Sequence, residues 1–223
     1  MDLRNKTVNF LGDSITEGVG VNDKEHCRYD NRLMEMLGIK AANNCGVSGT
    51  RIAYQKKPSL PASFDLTFCG RAQIMPRADF VVVYGGVNDY LHGDADIGND
   101  GDCTPATFYG AVEYLMAFLE KEYAGRVLFV TPAKTYFRNT FYDEISEHEA
   151  KGQDALPLKG YVDIICATAR RHKIPVLNLY EQFVYDPKLH PELINEITSD
   201  GLHFNDKGHE LLAIEIANRI VGL

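Results

Sequence analysis

The chain has 223 residues, of which 45% are hydrophobic, and its formal net charge is −8. That length supports one sizeable core and a single domain spanning residues 1–223, while the charge repels phosphate backbones and excludes nucleic acid as an expected partner. No stretch approaches the ~18 consecutive apolar residues of a membrane helix, and the opening MDLRNKTVNF lacks the apolar run of a signal peptide, so neither a membrane partner nor export is expected.

The cysteines at 27, 45, 69, 103 and 166 are odd in number and widely spaced, and none forms a Cys-x-x-Cys pair. A zinc site or disulfide framework is therefore not expected, and a cytoplasmic location is.

In chain order, TVNFL (Thr7 to Leu11) is a short β-rich run ending at Gly12. RYDNRLMEMLG sets Leu33, Met34 and Leu37 at helical spacing, with Gly38 as its C-cap. KAANNCG is a weak second strand closing at Gly46. DFVVVYGG is the clearest strand, and its unbroken apolar run suggests a parallel strand covered on both faces. TPATFYGAVEYLMAFLEKEY reads as a long helix with Thr104 as N-cap and Pro105 in its first position. RVLFVTP is a fourth strand, KGYVDIICATARRHK a helix, IPVLNLY a fifth strand, and a last helix runs from about Asp206 to Val221.

Strands alternating with helices define an α/β protein, a three-layer α/β/α sandwich around a five-stranded parallel sheet. In such sheets ligands bind beyond the carboxyl ends of the strands. Gly12-Asp13-Ser14, Gly46 to Gly49, Gly85 to Asp89 and the segment after Tyr180 all fall at that edge.

Two insertions interrupt the alternation. HGDADIGNDGDC carries Asp94, Asp96, Asp100 and Asp102; it lacks the closing Glu of a calcium loop and reads as a solvated loop, so no metal is expected. Residues 134–156 hold Tyr136, Phe137, Phe141 and Tyr142, and either wall a site or form a subunit contact, which leaves a homo-oligomer open.

A serine nucleophile needs a base, a group that orients the base, and donors for the oxyanion. Two serines compete. Ser14 stands at the first strand tip, where it is either a helix cap or a nucleophile. Ser48 lies in GVSGT, where Thr50 replaces the last glycine of a nucleophile elbow. Asp-x-x-His occurs four times, as Asp23/His26, Asp89/His92, Asp200/His203 and Asp206/His209. Spacing alone does not choose among them. Location sets aside Asp23/His26 in an early polar loop and Asp206/His209 at the start of the last helix, and leaves Asp89/His92 and Asp200/His203 as rivals at the crevice edge.

GDSITEG, NCGVSG, GGVND and DGLH, in this order between Gly12 and His203, resemble the four blocks of the SGNH hydrolases, also called the GDSL esterase/lipase family. The resemblance implies the flavodoxin-like SGNH fold and a serine esterase with Ser14 as nucleophile, His203 as base and Asp200 as its partner. It implies an oxyanion hole made by the backbone N–H groups of Ser14 and Gly49 and the side-chain amide of Asn88. Asp13 and Asp89 are then structural, and Asp13 and His92 are candidates to line the pocket. No cofactor is implied. The expected substrate is a small acyl ester, with acetylated carbohydrate favoured by the polar rim. Lysophospholipase, thioesterase and acyltransferase activities share the same machinery. A flavodoxin-like phosphate- or nucleotide-binding module is the non-enzymatic alternative, opposed by the charges of Asp13 and Glu17 beside the first loop.

Overall fold

In a computed structural model, residues 1–146 and 152–223 are described. Five parallel strands form the central sheet: β1 (Thr7–Gly12), β2 (Ala41–Gly46), β3 (Phe80–Tyr84), β4 (Val127–Val130) and, after a two-stranded hairpin β5 (Tyr136–Phe137) and β6 (Thr140–Phe141), β7 (Val176–Leu177). The sheet order is β2-β1-β3-β4-β7, so the chain reverses direction of growth between β1 and β3. The registers place Gly12 level with Gly46 on one side and Tyr84 on the other, so three strand tips end together.

Alternation of side chains about the pleat sends the strands into two cores. Leu11, Val81, Val83, Val127 and Phe129 face one, with α4 (Phe68–Ala72), α5 (Val87–His92), α6 (Phe108–Tyr123) and α7 (Leu158–Arg171) packed over them. Val8, Phe10, Phe80, Val82, Tyr84, Leu128 and Val130 face the other. There they meet side chains from α1 (Ser14–Glu17), α3 (Tyr29–Leu37), α8 (Leu179–Gln182), α9 (Leu193–Ile197) and α10 (Asp206–Val221); the four-residue α2 (Lys24–Cys27) leads into α3. This is the three-layer α/β/α sandwich expected from the alternation of apolar runs.

Three local expectations shift. The long helix starts later than Thr104-Pro105: Thr107 is its N-cap, extended at φ −122°, and its hydroxyl accepts from Gly110 N–H. Pro105 lies outside the helix, and its carbonyl is taken by Tyr54 N–H. The fifth strand shrinks to two residues because Asn178 caps α8, accepting from Glu181 N–H, and this bends the chain off the sheet.

The Asp-rich insertion is also not simply solvated. Asp94 is 7% exposed and accepts from Lys56 and Lys57 N–H, Asp96 pairs with Lys56, Asp102 accepts from Thr107, and Asp100 pairs with Arg171. These carboxylates stitch the insertion to neighbouring loops. Among the described residues, no three His, Cys, Asp or Glu side chains are grouped to hold a metal ion, and no helix is long and apolar enough to cross a membrane.

Candidate active site

The sheet edge carrying Gly12, Gly46 and Tyr84 opens into a cavity of about 710 Å³. Ser14, Gly49, Asn88, His92 and His203 all line it, from four segments of the chain.

Ser14 is delivered by β1. Its cap reading fails locally, because Asp13 is the N-cap of α1: the Asp13 carboxylate accepts from Ile15 N–H at 3.0 Å and its carbonyl from Glu17 N–H. Ser14 is thus the first residue of the helix, with a backbone N–H that has no carbonyl one turn below it. Its hydroxyl is left for another partner, which is the His203 ring: Nε2 lies 2.9 Å from Ser14 Oγ. The other ring nitrogen, Nδ1, lies 2.7 Å from Asp200 Oδ2.

The Asp200–His203 turn is tightly built. Asp200 Oδ1 accepts from Leu202 N–H at 3.1 Å and from His203 N–H at 2.8 Å, and Gly201 N–H is held by the Thr198 hydroxyl. Burial raises the Asp200 carboxyl pKa, but the hydrogen bonds from the His203 ring and backbone outweigh it and leave the pKa lowered. Asp200 is therefore anionic at neutral pH. A carboxylate on Nδ1 fixes the tautomer with Nε2 facing the serine.

The other three Asp-x-x-His pairs separate by environment. Asp23/His26 is a solvent-exposed pair at 2.9 Å, far up the α2 loop. Asp206 accepts from Asn22 N–H, while His209 sits in the core at 0% exposure. Asp89 accepts from Ile52 and Ala53 N–H at 2.9 and 3.0 Å, and the two His92 nitrogens face Arg51 and Asn88.

Ser48 also lines the cavity, but its proton is committed. Its hydroxyl donates to Glu17 Oε2 at 2.5 Å and its backbone N–H donates to the same oxygen at 2.7 Å. Gly49 follows at φ +72°, and a Cβ there would fall 2.1 Å from the Phe64 ring. Both the backbone conformation and the ring demand glycine. Asn88 is 4% exposed; its Nδ2 donates to Thr50 O at 3.0 Å and its Oδ1 accepts from His92 Nε2. Asp13 is buried behind Ser14 as the helix cap and is not on the cavity wall; His92 is. Burial raises the Asp13 carboxyl to a pKa of about 6, against the hydrogen bond from Ile15 N–H and the nearby His203 and Arg71.

Three residues have supporting roles that were not legible in the sequence. Glu17 is the anchor for Ser48. Arg71, 8% exposed, ties the strand tips together by donating to Gly12 O at 3.0 Å, to Cys45 O, to Thr50 Oγ1 at 2.7 Å and to Leu66 O at 2.8 Å. Arg51, 3% exposed, reaches Ser59, Asp65 and His92. None of the three roles carries a spacing signal, because each acts through a fold contact rather than through a local turn.

The 134–156 insertion takes the first of its two expected roles. Its β5–β6 hairpin sends Phe137 and Arg138 to the cavity wall, and the Phe137 ring meets the His203 ring edge-on at 6.0 Å. Lys134 pairs with Asp186 at 2.6 Å and the Tyr142 hydroxyl donates to the same carboxylate, pinning the insertion to the segment after α8. Residues 147–151 of it lie outside the described residues.

A doubly covered parallel sheet with a Ser-His-Asp hydrogen-bonded series at its carboxyl edge defines a class of α/β ester hydrolases. Residues 10–211 match the GDSL-like Lipase/Acylhydrolase family, and the chain belongs to it; its members hydrolyse ester bonds. Solved structures share the fold. A protein from Lactobacillus plantarum is 26% identical over 98% of both chains, with a TM-score of 0.80. A possible lipase from Chitinophaga pinensis is 20% identical over 98% of this chain and 99% of its own, with a TM-score of 0.68. An acetyl xylan esterase is 22% identical over 96% of this chain and 99% of its own, with a TM-score of 0.59. No curated protein sequence matches.

Proposed function

We propose that the protein is a serine esterase that cleaves small acyl esters through an acyl-enzyme on Ser14. The observation that carries this reading is the unbroken series Ser14 Oγ–His203 Nε2–Asp200 at 2.9 and 2.7 Å on the wall of the large cavity.

His203 accepts the Ser14 proton as Oγ attacks the ester carbonyl, and Asp200 stabilises the imidazolium that forms. The backbone N–H groups of Ser14 and Gly49 and the Asn88 amide donate to the oxyanion. All three are neutral donors held by the fold before reaction, so little reorganisation is needed as charge develops. His203 then protonates the leaving alcohol, and water repeats the sequence on the acyl-enzyme.

The cavity supports an alcohol of about sugar size. Its volume of about 710 Å³ exceeds what a short acyl chain needs, and Gln55, Lys57, Ser59, Asp94 and Arg138 bring polar groups to a wall otherwise lined mainly by apolar side chains such as Leu60, Phe64 and Phe137. Acetylated carbohydrate is the substrate class we assign, in keeping with the structural similarity to an acetyl xylan esterase.

A panel of p-nitrophenyl acetate, butyrate and octanoate with acetylated sugars tests both parts. Acetyl esters should be cleaved fastest, and Ser14→Ala should abolish turnover and labelling by a fluorophosphonate probe. Full activity in Ser14→Ala overturns the mechanism. A preference for octanoyl esters overturns the substrate class alone.

A further inference from the structure

We propose that Arg51 and His92 form a relay that fixes the amide of Asn88 with its N–H side toward the oxyanion position. The inference rests on the reading of Asn88 as an oxyanion donor.

An asparagine amide has an acceptor end and a donor end of nearly the same shape, so packing alone does not choose between them. Only one orientation serves an oxyanion. The reversed one points a carbonyl oxygen at the developing charge. The choice must come from hydrogen bonding, and the structure supplies it at both ends of the amide: the Thr50 carbonyl accepts from Nδ2 at 3.0 Å, and a series of two contacts from Arg51 through His92 reaches Oδ1. Arg51 Nη1 lies 3.1 Å from His92 Nδ1. A guanidinium has no acceptor, so Nδ1 must be the unprotonated nitrogen and the ring proton sits on Nε2. That nitrogen lies 3.1 Å from Asn88 Oδ1. Nε2–H therefore donates to Oδ1, and the Asn88 NH₂ is left to face Thr50 O, 3.0 Å away, and the cavity.

The relay is anchored at its far end. Arg51 is 3% exposed, and its Nη2 donates to Ser59 Oγ at 2.5 Å, to Asp65 Oδ1 at 3.0 Å and to Phe64 O at 3.3 Å. The Phe64 ring lies 5.5 Å from the His92 ring and against Gly49. The same short loop therefore packs on one proposed donor, Gly49, and through Arg51 and His92 orients another, Asn88. His92 also occupies the position on α5 one turn after Asn88, which makes the ring-to-amide contact a natural i, i+4 pairing.

His92 and Arg51 are thus positioning residues, and their signature is dependence on Asn88. A double-mutant cycle with p-nitrophenyl acetate reads it. Asn88→Ala should lower kcat by about a hundredfold, the usual range for losing one oxyanion donor. His92→Leu should lower kcat about tenfold or more with KM within a few-fold, because the lost interaction belongs to the transition state. In the Asn88→Ala background, His92→Leu should cost nothing further. His92→Gln, which can accept from Arg51 and donate to Asn88, should restore kcat to within a few-fold of the parent. His92→Glu, which accepts on both sides, should be at least as impaired as His92→Leu.

Additive losses in the cycle, or equal kcat for His92→Gln and His92→Glu, overturn the relay. If His92→Leu does not fold, the Gln and Glu pair decides. Failure of the underlying reading looks different: there Asn88→Ala or Ser14→Ala would itself keep full activity.

Discussion

Gly201 and Tyr136 are bonded back to back. Tyr136 N–H donates to Gly201 O at 3.1 Å, and the Tyr136 carbonyl oxygen lies 1.8 Å from where a Cβ on Gly201 would stand. Through this contact the β5–β6 hairpin and the Asp200–His203 turn form one unit. The Tyr185 hydroxyl adds a second donor to Gly201 O at 3.0 Å. The placement of the His203 ring therefore depends on a backbone approach as well as on the ring's own contacts with Phe137, Asp200 and Ser14.

Gly201→Ala should uncouple that unit. At φ +85° any side chain is strained, and the added methyl must push the hairpin or the turn aside. A displacement of about 1 Å at a catalytic base typically costs on the order of a hundredfold in rate. We expect kcat/KM on p-nitrophenyl acetate to drop by roughly that factor, while circular dichroism shows the sheet intact. Activity within a few-fold of the parent would show that the turn tolerates the intrusion and that the contact is incidental.

Glu17 and Ser48 give a second prediction, which separates the two serines. Ser48→Ala removes the hydroxyl bond but keeps Ser48 N–H on Glu17 Oε2. Its activity should stay within a few-fold of the parent. Glu17→Ala removes both bonds and loosens Ser48 and Gly49, while Val47 stays bonded to Gly12 O and Thr50, so kcat should drop by roughly tenfold, equivalent to ~1.4 kcal/mol of transition-state stabilisation. Parallel kcat measurements on the two variants check this. Loss of fluorophosphonate labelling in Ser48→Ala would reopen the elbow reading.

Those supports mark the limit of what the sequence discloses. The sheet was legible because β3 is apolar throughout and both faces of it are covered. Gly12, Gly46 and Gly201 stand out because glycine marks backbone turns and close approaches. The Asp200–His203 pairing was not legible by spacing, since three other pairs share it; the 2.9 Å approach of the His203 ring to Ser14 across 189 positions separates it. Arg71 and Arg51 were illegible for a related reason. Each guanidinium is buried by carbonyls and side chains from distant segments, and a buried arginine reads in a sequence like any surface one. The helix start was misplaced because Thr104-Pro105 and Thr107 both offer a hydroxyl in the right place. The choice between them was made by Gly110, packed against Thr104 O, which no local propensity encodes.

Two buried groups make opposing contributions to the pH dependence of stability. His209 is 0% exposed; its Nδ1 accepts from Tyr29 N–H at 3.2 Å, and burial lowers its pKa from 6.5 to about 3. Between those values the unfolded chain binds the extra proton, so His209 makes the fold lose stability as pH falls. Asp13 runs the other way. Burial raises its pKa from 3.8 to about 6, so between these values the folded chain holds the extra proton and stability rises as pH falls. Each contributes a slope of about 1.4 kcal/mol per pH unit where its two states differ fully, and the two offset each other over most of the acid range. Substitutions should expose them separately. His209→Asn keeps an acceptor near Tyr29 N–H and removes the titration; relative to the parent it should gain stability as pH falls from 6.5. Asp13→Asn keeps an acceptor for Ile15 N–H and should lose stability relative to the parent as pH falls below about 6. Urea unfolding of the three proteins at half-unit steps from pH 7 to about 4.5 measures the slopes, which are independent of the constant cost of each substitution. Parallel curves for all three would mean that both groups titrate in the folded protein as they do in the unfolded chain.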